Sequence, residues 1–192
     1  MNTMMDDHPI TPLDSRIAWE CPWYRVRQDR IRLPNGGEGV YNVVEKCDAV
    51  WAVPVTPAGE IVLIRNYRYP LREWVWELPS GGVADGLTPL ESAQRELAEE
   101  AGGTATEWRL LLRASAMNGI GTEYAYLYLA TDVVLGQAEP EPTEAMSVHR
   151  VSAAEALRRA RAGEINDAVS ALALLLAEPY LETGKRDEAG DS

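Results

Sequence analysis

Bulky and charged residues alternate through Trp23-Tyr24-Arg25-Val26-Arg27 and Ile31-Arg32-Leu33. The turn signal Pro34-Asn35-Gly36-Gly37 follows, and Gly39-Val40-Tyr41-Asn42-Val43-Val44 returns, which predicts a hairpin. Structure is expected from near Ile17, after a loose arm over residues 1–16 that holds Pro9 and Pro12. Ala49 to Val55 and Glu60 to Arg65, joined by Thr56-Pro57-Ala58-Gly59, predict a second strand pair. Trp108 to Ala114, Tyr124 to Ala130 and Val148 to Val151 read as further strands. Between Pro79 and Gly103 the period changes from two to 3.6. Leu90, Ala93, Leu97 and Ala101 form an apolar stripe, Thr88 with Glu91 makes a capping box, Pro89 takes the first helical position and Gly102 stops the helix. Ser152 opens a second helix that Gly163 ends. Asn166 is expected to cap a last one whose Val169, Leu172 and Leu176 are buried. The order of elements suggests a mixed sheet with helices on both sides.

Composition narrows the function classes. The 192 residues carry a net charge of −12, which argues against a nucleic-acid footprint or an anionic membrane surface as partner. The charge is unevenly spread: residues 1–75 hold nine basic and ten acidic side chains, residues 76–192 nine and twenty. The longest apolar run near the C-terminus, Ala171 to Ala177, is far short of the ~20 residues that span a bilayer. Cys21 and Cys47 lack the spacing of a zinc site or disulfide framework, so both are expected to be reduced thiols in a cytoplasmic protein. With only His8 and His149, a histidine-based metal site or triad has little to build on.

The helix after Thr88 carries Glu96, Glu99 and Glu100 at i, i+3 and i+4. Three like charges on one helical face repel one another, and a hard divalent cation would relieve them. A solvated acidic face accounts for the spacing as well. The wider pattern is more specific: Gly81, then Arg95-Glu96-Leu97-Ala98-Glu99-Glu100-Ala101-Gly102 at a fixed distance. This resembles the Nudix box, G-x5-E-x7-R-E-U-x-E-E-x-G-U, where U is a bulky aliphatic. Leu87 and Gly103 depart from it, standing where the first glutamate and the last aliphatic belong. In the family that glutamate pairs with the arginine. Here Glu91, one turn before Arg95, is the expected substitute. The arginine-tyrosine-arginine run ending at Arg68, and the entry Trp76-Glu77-Leu78-Pro79-Ser80-Gly81, are similar to the ADP-ribose pyrophosphatase branch.

The resemblance implies an α/β fold, an α/β/α Nudix sandwich with a mixed β-sheet over residues 48–182. It adds a small N-terminal β subdomain over 17–47 that commonly exchanges across a homodimer, and a flexible tail over 183–192. It implies hydrolysis of a nucleoside diphosphate sugar, such as ADP-ribose to AMP and ribose 5-phosphate, with Mg²⁺ as cofactor and Mn²⁺ as the alternative ion. The metal ligands would be the Ser80 carbonyl, Glu96 and Glu100, with Glu99 and Arg95 as catalytic neighbours. The base would be Glu144, or as second choice Glu141, in the irregular stretch from Asp132 to Met146. Arg68 would grip substrate phosphate, or else form a surface ion pair. Glu77 would join the site, or be a partly exposed strand residue. Trp74 and Trp76 share a strand face that is either core or an adenine platform. Gly119 and Glu123 match a family substrate loop, although a loop carboxylate is usually just solvated. Two other readings remain: a different sugar nucleotide such as GDP-mannose, or a domain that binds a nucleotide sugar without turnover, for which Leu87 is the best support.

Overall fold

The computed structural model describes residues 8–138 and 145–181. These fall into two compact units: the described residues up to Cys47 together with Ser115–Glu123, and Asp48–Ala114 together with those from Tyr124 onward.

The first unit is a three-stranded antiparallel sheet in the order β1-β2-β3, with β1 Thr11–Glu20, β2 Arg25–Arg32 and β3 Glu38–Glu45. The β2–β3 hairpin forms where the turn signal puts it. Leu33 N–H donates to the Gly37 carbonyl at 2.8 Å, and Gly36 adopts the left-handed conformation (φ 83°) that glycine tolerates best. β1 begins inside the stretch expected to be a loose arm, because pairing with β2 from Thr11 opposite Arg32 to Glu20 opposite Arg25 orders it. The segment 115–123 joins this unit for the same kind of reason. Val44 N–H donates to the Ile120 carbonyl at 2.8 Å and its carbonyl accepts from Thr122 N–H at 3.1 Å, while the Tyr41 hydroxyl donates to the Gly119 carbonyl at 2.8 Å.

The second unit contains two larger sheets. One runs β7-β4-β10-β9, with β4 Ala49–Pro54, β7 Ser80–Gly82, β9 Glu107–Ser115 and β10 Tyr124–Thr131. Its β4 and β10 are parallel while β4 and β7 are antiparallel, so the sheet is mixed. The other is antiparallel and runs β12-β5-β6, with β5 Glu60–Arg68, β6 Glu73–Glu77 and β12 Met146–Ser152. A short pair joins β8 Gly103–Thr104 to β11 Val134–Leu135. The expected pairing of the fourth and fifth strands is therefore corrected: they lie in different sheets, joined at their near ends by the bridge between Val55 and Ile61. Val55 gives its N–H to the Ala130 carbonyl and its carbonyl to Val133 N–H, which carries the chain toward β10.

Helix α1 Pro89–Ala101 packs on β4, β7 and β8, whereas α2 Ala153–Arg161 lies on β5 and β12, and α3 Ala168–Leu181 on β4 and β10. The period of two sorts the core. Ile61, Leu63, Leu127 and Leu129 join the cluster with α2 and α3, while the intervening Val62 and Tyr128 turn to the other side, Val62 with Leu97 and Ala101 of α1 and Tyr128 with Ala93. On α3 the buried residues are Ser170, Ala173, Leu174 and Ala177, a helical stripe, while Leu172 is exposed and Val169 and Leu176 are half-buried. Its first turn is capped by Asp167 rather than Asn166, since the Asp167 carboxylate accepts from Ser170 N–H at 2.9 Å.

Candidate active site

Local sequence fixes the helix that carries the acidic residues. The Thr88 hydroxyl accepts from Glu91 N–H at 3.2 Å, and Glu91 Oε2 accepts from Thr88 N–H and hydroxyl, each at 2.7 Å. Gly102 closes the helix in the left-handed region (φ 64°), where an added Cβ would also meet the Gln137 backbone at 2.6 Å. Between these caps the helix turns Glu96 and Glu100 inward beside Ala93, Leu97 and Ala101. They are 9% and 5% exposed, whereas the Glu99 side chain is 48% exposed. A solvated face would not bury two carboxylates, since removing a charge from water costs several kcal/mol unless partners replace the water.

Both buried carboxylates meet the strand that precedes the helix. Glu100 Oε2 accepts from Ser80 N–H at 2.8 Å. Glu96 lies on the Cα of Gly81: a Cβ there would come 2.3 Å from its Cδ. The strand is held from its other edge. Ala52 N–H donates to the Pro79 carbonyl at 3.0 Å, and Trp51 stands opposite Ser80 in the β4–β7 register. Antiparallel pairing alternates, so the next residue, Ser80, turns its backbone groups away from β4, toward Glu100. Arg95 follows the same face: its Nη2 donates to Glu96 Oε1 at 2.7 Å, and its Nε stands 3.5 Å from Glu99.

Arg68 and Glu77 form a second charged pair in this unit. Glu77 is 6% exposed, and Arg68 donates to both of its carboxylate oxygens at 2.6–3.0 Å. The guanidinium is held above its usual range, first by the hydrogen bond to Glu77, with the charges of Glu77, Glu100 and Asp167 adding to it. Trp76 joins the core, its ring under the Arg159 guanidinium at 5.0 Å, while Trp74 is exposed and edge-on to Tyr67.

One sequence expectation is corrected here, and the two departures from the box find their places. Glu91 does not substitute for the missing box glutamate, because its carboxylate is taken by the cap while Arg95 pairs with Glu96 and Glu99. Leu87 is an exposed loop residue. The departure at Gly103 has a packing reason: a Cβ would meet Leu97 Cδ1 at 2.8 Å and Val133 Cγ1 at 3.3 Å, so an aliphatic there has no room.

Gly119 and Glu123 belong to the first unit. Glu123 is not a bare solvated carboxylate, being 4% exposed and paired with the Lys46 ammonium at 3.0 Å. Glu144 and Glu141 lie outside the described residues. A cavity of about 480 Å³ in the first unit, bordered by Arg27, Asp29 and Tyr41, is lined by none of the candidate site residues.

Among the described residues no three acidic, histidine or cysteine side chains gather into a metal site. The two buried carboxylates, Glu96 and Glu100, both lie against the Ser80–Gly81 backbone; with the Ser80 carbonyl they would make an all-oxygen donor set. It suits Mg²⁺, which takes one or two carboxylates and fills its other positions with water and phosphate oxygens. Sequence reading missed Ser170 and Asp167, which accept from Leu78 N–H and the Trp51 indole N–H, 92 and 116 residues away along the chain and next to the strand that carries Ser80.

Known proteins resemble this chain in sequence and fold. The NUDIX domain family model matches residues 45–172, and the model for the nucleoside diphosphate sugar hydrolase N-terminal domain matches residues 10–44. An ADP-ribose pyrophosphatase from Mycobacterium tuberculosis is 33% identical, over 94% of this chain and 88% of its own. One from Bacillus subtilis is 30% identical over 75% and 79%. The crystal structure of an ADP compounds hydrolase superposes with a TM-score of 0.81 at 23% identity, covering 94% of this chain and 98% of the other, and so shares the fold.

Proposed function

The chain belongs to the Nudix family, as a hydrolase of the ADP-ribose pyrophosphatase-like kind, and from that premise we propose that it cleaves the pyrophosphate bond of ADP-ribose with Mg²⁺. The observation that carries the proposal is the burial of Glu96 and Glu100 against Gly81 and Ser80. Glu96, Glu100 and the Ser80 carbonyl would hold the cation, with Mn²⁺ as the alternative. When bound, it would supply charge neutralisation at the diphosphate and a more acidic water.

The chain's own residues divide the remaining work. Arg95 holds Glu96 by its Nη2 and so orients the carboxylate. Arg68 is fixed by Glu77 and offers a cation to a phosphate oxygen. Glu144, or failing it Glu141, takes the proton as water oxygen bonds to phosphorus and the bridging P–O bond breaks. The products are AMP and ribose 5-phosphate. Gly119 and Glu123 are proposed as substrate contacts, Glu99 as a catalytic neighbour of Arg95.

We also propose a homodimer. β1 exposes Leu13, Ile17 and Trp19, and three strands are few to stand alone as a sheet. A cytoplasmic location is proposed from Cys21 and Cys47, both free thiols. No helix among the described residues is long and apolar enough to cross a membrane.

The test is a panel of sugar nucleotides, dinucleotides and nucleoside triphosphates with Mg²⁺ or Mn²⁺, read as phosphate released by a coupled phosphatase. ADP-ribose should give the highest kcat/KM. GDP-mannose in first place would change the substrate, and tight binding without turnover would make the protein a nucleotide-sugar binder.

A further inference from the structure

We infer that Ser170 and Asp167, at the start of α3, are positioning residues for the metal site, acting through the backbone that leads into Ser80. The inference rests on the metal-site reading above. β6 ends at Glu77, opposite Ile64 of β5, and Leu78 has left the ladder. Leu78 is 1% exposed, so its N–H cannot turn to water. It donates instead to Ser170 Oγ at 2.9 Å, on a helix 92 residues away.

The direction of that bond is set by Asp167. Three donors converge on its Oδ2: the Ser170 hydroxyl at 2.5 Å, Ser170 N–H at 2.9 Å and the Trp51 indole N–H at 3.2 Å. With the Ser170 proton committed to Asp167, the lone pairs of Oγ are left for Leu78. Trp51 is also the residue opposite Ser80 in the sheet. The carboxylate of Asp167 thus ties the α3 cap to β4 and, through Ser170, to the residue two places before Ser80. Pro79 between them is fixed by its own carbonyl bond to Ala52. Leu78, Pro79 and Ser80 are each held by a different partner, and Ser170 supplies the one that does not belong to the sheet or to α1.

Such a clamp acts on how well the donors are placed before the cation arrives. Partners of this indirect kind typically change metal affinity by about 10- to 100-fold. Mn²⁺ binding to the full chain, measured by calorimetry without substrate, should weaken by about tenfold or more in Ser170→Ala. Ser170→Thr, which keeps the hydroxyl, should bind closer to wild type. Melting temperatures are recorded alongside, since a purely structural serine would lower the melting temperature and leave Mn²⁺ affinity unchanged, which overturns the inference. If Ser170→Ala does not fold, Ser170→Cys puts the same question, because a thiol is a poor acceptor; equal affinity in the Cys and Thr variants overturns the inference. Glu100→Gln separates the two levels. If it abolishes Mn²⁺ binding while Ser170→Ala leaves it intact, the clamp is wrong and the metal site stands. If it binds as wild type does, the metal-site reading fails and takes the clamp with it.

Discussion

Replacing Gly81 by alanine tests the site with the smallest possible addition. The new Cβ would stand 2.3 Å from Glu96 Cδ and 2.5 and 2.6 Å from its two oxygens. Relaxed carbon contacts begin near 3.5 Å, so the carboxylate must retreat by about 1 Å. The backbone of Gly81 is not left-handed, and alanine can adopt it; the whole effect therefore falls on Glu96. A shift of about 1 Å at a reacting centre costs on the order of a hundredfold in rate, or about 2.7 kcal/mol of transition-state stabilisation. The assay is kcat on ADP-ribose at saturating Mg²⁺, with Mn²⁺ affinity beside it. Gly86→Ala is the control: its φ is 82° and no atom lies within 4 Å, so it should lose about 1 kcal/mol of stability to backbone strain and leave kcat unchanged. The double mutant Gly81→Ala/Glu96→Gln should be little slower than Glu96→Gln alone. A Gly81→Ala enzyme within about threefold of wild type, or losses that multiply in the double mutant, would refute the reasoning.

Glu91→Ala should lower the melting temperature by a few degrees through the lost cap and leave kcat within about twofold of wild type; a large kcat loss would restore Glu91 as the holder of Arg95. Gly103→Leu, which returns the family's aliphatic residue, should overpack Leu97 and Val133 and cost about 1–3 kcal/mol in denaturant unfolding. Hydrogen bonds from Arg158 first and Arg159 second hold the Glu155 carboxyl down at about 2, from an ordinary value of 4.5. A depressed carboxyl stabilises above 4.5 and loses that contribution as pH falls toward 2. The melting-temperature gap between wild type and Glu155→Gln should therefore close over that interval, and a gap that persists at pH 2 would count against the assignment. Because these ion pairs are exposed, added salt should shrink the gap above pH 4.5.

What could be read from sequence was what neighbouring residues decide among themselves. Thr88, Pro89, Glu91 and Gly102 bounded α1 because caps are made within four residues, and the box spacing singled out Glu96 and Glu100 because a helix repeats at 3.6. Their burial was not readable, since it depends on Gly81 offering a Cα with no side chain. Distant partners decided the rest. β1 needed β2, the separation of β4 from β5 depended on Ala130 and Val133, and Leu78 found its acceptor on α3. Even the choice of Asp167 over Asn166 as cap fits this, because the distant Trp51 indole N–H donates to the same carboxylate oxygen and helps to hold it in place. Glu91 was misread for the converse reason: its helical spacing to Arg95 was right, but a nearer donor, Thr88, took the carboxylate first.

The bond between Tyr41 and Gly119 spans 78 residues of chain, and those of Val44 to Ile120 and Thr122 span nearly as many. On a ribosome, at about 5–20 residues per second, β3 emerges roughly 4–16 seconds before the segment that completes its edge. For that interval Val44 offers an open N–H and carbonyl next to the exposed Val40 and Tyr41, the kind of edge to which another nascent chain can add. The same threading means that no single cut isolates the N-terminal sheet with all its hydrogen bonds. A fragment ending at Cys47 lacks the strap, and one long enough to include the strap carries β4 to β9 as well.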